Sequence, residues 1–144
     1  MRKLLKKDLL TTPKMIKTGL NLWPSYFFSG IKVVNISQDF KKVHVSLVKR
    51  FFNLNYVGTH FGGNLYAMID PFYMLMVMKN LGEKYYVWDI EANIRFIKPG
   101  TKAVYCKMYI DDSDLEEIKE QTANGSKYVK TFKTSIFSEK KEVV

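Results

Sequence analysis

Two adjacent glycines, Gly62 and Gly63, stand at the start of an apolar helical pattern, and a single acid, Asp70, follows seven residues after the second. Glycine has no Cβ, so the backbone can turn sharply there and come close to a ligand. The first amides of a helix lack intrahelical acceptors, and the helix dipole makes that end attractive to negative charge. An oxygen that gains charge during acyl transfer suits such a place. Asp70 interrupts a run that is otherwise apolar from Leu65 to Met78. Ionised Asp is rarely buried without a partner, and partial burial raises a carboxyl pKa toward that of a general base working near neutrality. The expectation is a carbonyl polarised by amides and an acid buried in a helix beside it. A structural alternative stands next to it. Asp-Pro is a common cap and first-position pair, so Asp70 could equally cap a segment that opens at Pro71.

Asn55, Gly58, Gly62, Gly63 and Asp70 together resemble the signature of the hotdog-fold acyl-CoA thioesterases of the phenylacetate-pathway type. That signature is roughly Asn-x-x-Gly-x-x-His-Gly-Gly with an acid seven residues on. Phe61 takes the place of the histidine, and His60 sits one residue earlier. The longer string from Phe61 to Pro71 is similar to a less characterised branch of the same superfamily, and the likeness spans residues 30–138. The resemblance implies an α+β hotdog fold, with an antiparallel sheet wrapped around a long central helix. It implies thioester hydrolysis without a metal, with Asp70 as general base or nucleophile and the Gly62 and Gly63 amides on the carbonyl. Asn55 would orient water or the thioester. Gly58, His60, Phe61, Tyr66, Tyr73 and Met74 would line the substrate. His60 could equally be a solvent-facing loop residue, and for Tyr73, Met74 and the neighbouring Met68, Phe72 and Met76 plain core packing is the competing reading. No cofactor is implied beyond the coenzyme A of the acyl-CoA substrate. A homodimer, or a dimer of dimers, is implied through the strand that holds Tyr86 to Phe96, with the acyl chain in a tunnel between protomers. A non-catalytic hotdog that binds acyl-CoA or lipid is the alternative, favoured by Phe61 and Pro71.

At 144 residues the chain fits one domain, with a helical extension over 1–29 and the core over 30–138. No apolar run reaches the ~18 residues of a membrane span. The basic start, Met1 to Asp8, lacks the apolar core of a signal peptide. Cys106 is the one cysteine and reads as a buried filler of a strand, so a cytoplasmic protein is expected. Residues 1–50 carry the whole net charge of +9, and the rest is neutral. Such an excess favours phosphate-bearing partners such as coenzyme A or anionic lipid, or simply solubility. The basic amphipathic start suits weak contact with a membrane surface. No nucleic-acid partner is expected, although a membrane or nucleic-acid role for residues 1–50 is the reading from another class. Two distant histidines and one cysteine do not give zinc-ligand spacing.

Periodicity places the elements that must hold these residues. Residues 1–22 read as helix broken near Pro13, with Thr12 as cap, and Trp23 to Phe28 as an aromatic linker. Ile31–Ser37 and Val43–Val48 read as a hairpin, with Val43, Val45 and Leu47 on one face and His44 on the other. A long helix, Asn64 to Leu81, follows, kinked at Pro71, which frees the carbonyl of Ala67. Strands are expected over Tyr85–Ile97, Lys102–Ile110 and Ser126–Phe137, with a helix over 111–123 that Asp114 could cap, and a fraying tail from Ser138.

Overall fold

The computed structural model describes residues 12–144. The expected helical turns before Thr12 lie outside the described residues. Helix α1, Pro13–Leu22, begins as its sequence dictates: Thr12 Oγ accepts the Met15 amide at 3.3 Å, and Pro13 fills the first turn, where no amide is needed. Trp23 to Phe28 is not a linker. Pro24 starts a second short helix, α2, Pro24–Ser29, because proline presets the helical φ where its missing N–H costs nothing.

Strands β1, Ile31–Ile36, and β2, Lys42–Leu47, form the expected antiparallel hairpin, with Ile31 opposite Leu47 and Ile36 opposite Val43. Its turn is closed by Ser37, whose Oγ accepts the amides of Lys41 and Lys42. Strand β3, Val104–Tyr109, pairs with β2, and β4, Ile136–Ser138, pairs with β3, so the sheet runs β1-β2-β3-β4. The outer edge of β1 is covered by a side chain. Asn21 of α1 donates to the Val33 carbonyl at 3.0 Å and accepts the Val33 amide at 2.8 Å, imitating the next strand at a register shift.

The central helical segment is divided rather than kinked. Helix α3, Gly62–Ala67, stops at a turn through Met68 and Ile69, and α4, Asp70–Leu81, begins there. Pro71 cannot donate to the Ala67 carbonyl. The Tyr26 hydroxyl of α2 does so instead, at 2.9 Å, and the buried Tyr26 ring lies beside Phe72. Leu65, Met68, Phe72 and Met76 join the inner faces of β1, β2 and β3 in one core. Cys106 is buried there as expected, and burial pushes its thiol pKa up.

Three further expectations are corrected. Residues 85–97 carry no strand, and in 126–137 only the end, from Ile136, does. An alternating segment becomes a strand only where a second strand pairs with it along its length, and among the described residues 85–97 and 126–135 pair with none. Helix α5, Asp112–Gln121, is capped by Asp111. Asp114 is the third residue of the box and accepts the Asp111 amide at 2.9 Å, one side of a reciprocal pair that only this register allows. The tail does not fray. Val144 donates to the Ile136 carbonyl at 3.0 Å and buries its side chain, and Lys98 pairs with Glu142 at 2.9 Å.

Candidate functional site

The β1–β2 hairpin delivers the chain to a single 3₁₀ turn at Phe51–Asn53, then to a tight loop over 54–60, and that loop launches α3. The loop is self-contained. Asn55 accepts the amides of Val57 and Thr59 at 3.2 and 3.0 Å and donates to Thr59 Oγ at 2.8 Å. Asn55 is thus fully engaged in its own turn. Gly58 has φ +80° with open space around it, so turn geometry alone asks for glycine there.

His60 is neither solvent-facing nor open to a ligand from outside. It is 3% exposed, and its Nε2 donates to the Lys102 carbonyl at 2.7 Å, with Nδ1 left without a partner. Its backbone amide donates to the Gly100 carbonyl at 3.0 Å. Burial pushes the imidazole pKa down, the Lys102 carbonyl works against that shift, and the charge of Lys49 adds to it. His60 therefore bolts the loop before α3 to the turn before β3.

Gly62 and Gly63 open α3, and neither has a positive φ. Their glycine identity serves close approach. A Cβ on Gly62 would lie 2.9 Å from the Phe96 ring, and one on Gly63 would lie 2.4 Å from the Phe61 ring. Two aromatic rings therefore flank the start of α3. Among the described residues no acceptor meets the Gly62 and Gly63 amides, as expected for the first turn of a helix. Phe61 also lines a surface pocket of about 320 Å³, with Phe28, Phe52, Asn53 and Asn64 on its other walls.

Asp70 is exposed, which corrects the expectation of a buried acid. The turn at Met68 and Ile69 resets the helix, so Phe72 and Met76 take the core and Asp70 emerges. Nor does it cap the helix: Ile69 holds the cap position, without a side-chain bond, and Asp70 is the first residue inside. There a negative charge is favourable to the helix dipole. The Asp70 carboxylate lies near the Tyr66 hydroxyl one turn earlier, and their interaction first, with burial and the charges of Asp70 and Asp89, pushes the tyrosine up to about 12. Asp89 has its carboxyl pKa raised, by desolvation first and by the Asp70 charge second. It is exposed by area, yet enough protein surrounds it for desolvation to dominate. Burial and then the Asp70 charge raise the Tyr26 pKa as well.

Sequence reasoning missed Asp89 and Phe96 as neighbours of the site. Both lie in 85–97, and alternation alone does not say which helix end that segment passes. Phe96 against Gly62 and Asp89 near Tyr66 and Asp70 show that it runs beside α3 and the start of α4. Tyr73 is not with them. Its ring stacks on Phe132 at 4.7 Å, and its hydroxyl donates to the Lys133 carbonyl at 3.3 Å. Met74 is half-buried, and Met68, Phe72 and Met76 are core. Among the described residues no group of three His, Cys, Asp or Glu could hold a metal ion, and no helix is long and apolar enough to cross a membrane.

Residues 12–144 match the model of a domain of unknown function, DUF4442. No curated protein gives a significant match. Solved structures do. A probable thioesterase of Pseudomonas aeruginosa superposes with a TM-score of 0.72 at 14% identity, over 95% of this chain and 92% of its own. A thioesterase of Haemophilus influenzae gives 0.63 at 13% identity, over 93% and 84%. The PaaI protein of the E. coli phenylacetic acid degradation operon gives 0.54 at 13% identity, over 83% and 76%. These likenesses show the fold: an α+β hotdog, with the antiparallel sheet against the central helical segment and α1 and α2 as its N-terminal extension.

Proposed function

The chain belongs to the DUF4442 family, and from that premise we propose that it is a cytoplasmic acyl-CoA thioesterase acting without a metal. The observation that carries this reading is Asp70 at the head of α4, near Tyr66, with acceptor-free glycine amides seven and eight residues before it. The thioesterases among the fold relatives support it. Asp70 takes a proton from water while the oxygen of that water adds to the thioester carbon. The developing oxyanion is held by the Gly62 and Gly63 amides. The C–S bond then breaks, and the thiolate leaves with the proton that Asp70 returns, giving a carboxylic acid and free coenzyme A.

Gly63 and Asp70 are seven residues apart in sequence, with the turn at Met68 and Ile69 between them, so the base would reach a carbonyl held by the amides through the attacking water. A second copy would bring the Asp70 of one protomer to the amides of the other, and we take the working site to be shared in this way. The exposed apolar side chains of 85–97, Trp88 and Phe96 among them, support that pairing. Tyr66 holds the carboxylate, and Phe61 and Phe96 keep water away from the amides. Gly58 shapes the loop and His60 fixes it, so their part in substrate binding is indirect.

One observation favours a second reading. Every polar atom of the Asn55 side chain is committed to its own turn, and Phe61 stands where the related signature has histidine. A hotdog protein that binds acyl-CoA or lipid without hydrolysing it would look the same. A panel of acyl-CoAs from acetyl to palmitoyl, with phenylacetyl, separates the two by thiol release. The thioesterase reading expects turnover that falls about 100-fold in Asp70→Asn, the scale of a lost general base. Acyl-CoA binding by a folded protein with no turnover would leave the binding reading.

A further inference from the structure

Four phenylalanines stand in solvent at one end of the sheet, on α2 and the 3₁₀ turn. Phe27 and Phe28 of α2 meet edge to face at 5.4 Å, and Phe51 and Phe52 of the 3₁₀ turn do so at 5.2 Å. Their exposures are 52%, 65%, 89% and 52%. The two elements form one rigid surface. Asn53 donates to the Ser29 and Val48 carbonyls, both at 2.8 Å, and Arg50 donates to the Phe27 carbonyl at 3.4 Å. Arg50 also lies over the Phe52 ring, 5.8 Å from its centre. Exposed apolar area of this kind, contiguous and held in place, marks an interaction surface.

The charge around it has one sign. Lys32, Lys49 and Arg50 are exposed at this end. From Thr12 to Ile69 the one acid is Asp39, and it sits in the β1–β2 turn at the opposite end of the hairpin. Six-residue strands put about 17 Å between those ends at the usual rise per residue. A second copy of this chain is a poor occupant. A two-fold interface brings a patch onto itself, and here lysine and arginine would meet their own kind with no acid between them. An anionic surface with an apolar interior suits both features. Phenylalanines enter the headgroup boundary, and cations meet phosphate above them.

We propose that the face formed by Phe27, Phe28, Phe51 and Phe52, ringed by Lys32, Lys49 and Arg50, docks the protein on an anionic lipid bilayer. This face is separate from the basic segment before Thr12, and the proposal does not depend on hydrolysis. It places the pocket lined by Phe28, Phe52 and Phe61 against the lipid.

The test is co-sedimentation of the full-length chain with vesicles of phosphatidylcholine containing phosphatidylglycerol, and with vesicles of phosphatidylcholine alone. The expected result is binding to the first, at least tenfold weaker to the second, and weakened by salt. The double variant Phe27→Ser, Phe51→Ser should bind at least tenfold less with its circular dichroism unchanged. Lys32→Glu with Lys49→Glu, which leaves every apolar group in place, should do the same if the phenylalanine variant fails to fold. Three results would overturn the proposal. Vesicle binding equal in wild type and both variants would assign it to the segment before Thr12. A fall in solution mass in the phenylalanine variant would mean that a second copy covers the face. Binding to a duplex oligonucleotide but not to vesicles would make the cations a nucleic-acid site.

Discussion

Strand β2 and the segment 85–97 have the same alternating pattern and opposite surroundings. In β2, Val43, Val45 and Leu47 are buried, because the strand has β1 on one side and β3 on the other. In 85–97, Tyr86 is 82% exposed, Trp88 57% and Phe96 59%. Both segments can present an apolar face every second residue. Only β2 lies in a ladder between two strands; among the described residues 85–97 pairs with no strand. Alternation in sequence thus specifies what a segment is able to bury, while the fold decides what covers it.

That comparison predicts opposite results from one kind of substitution. Val45→Asp places a charge in the core at a cost of several kcal/mol, comparable with the whole stability of a domain this size. It should abolish the cooperative thermal transition seen by circular dichroism. Trp88→Asp should leave that transition in place but reduce the solution mass to one copy. Since the proposed site needs two copies, thioester turnover should fall with it. A Trp88→Asp protein that fails to fold would break the comparison, because the segment would then belong to the core of a single chain.

The next largest effect separates chemistry from packing along the divided helix. Asp70→Asn should lower turnover about 100-fold and leave the melting temperature nearly unchanged, since the side chain is exposed. Met76→Ala, two turns on and fully buried, should cost about 2–5 kcal/mol in urea unfolding with turnover per folded molecule retained.

The same contrast explains what the sequence disclosed. The hairpin, the buried face of β2, the cap at Thr12 and the break at Pro71 were legible, because each is set by residues within a few positions of one another. The donor to the freed Ala67 carbonyl was not, since Tyr26 lies 41 residues away. The solvent exposure of Asp70 was hidden for a related reason. It depends on the turn at Met68 and Ile69, whose rotation the apolar run does not encode. Asn55 was legible as a signature position, but its four-residue reach to Thr59 shows a turn-forming role that needs no substrate. Asn55→Ala should therefore cost about 1–2 kcal/mol, the net of two or three lost hydrogen bonds. Turnover per folded molecule should change less than threefold, and a loss near that of Asp70→Asn would restore Asn55 to the chemistry.

The smallest effect concerns the loop anchor. The folded His60 pKa lies below its ordinary 6.5, chiefly through burial. The unfolded chain therefore takes up that proton first as pH falls, so stability declines below about pH 6.5 and levels off once the folded pKa is passed. His44 contributes a slope of the same sign, because burial and Lys107 lower its pKa too. His60→Gln keeps an amide donor for the Lys102 carbonyl and does not titrate. Urea unfolding between pH 5 and 7.5 should show a shallower slope in His60→Gln than in the wild type, and His44→Gln should reduce it further. An unchanged slope in His60→Gln would mean that the loop opens before its histidine is protonated, and the start of α3 would then be held by backbone contacts such as the His60 amide on Gly100.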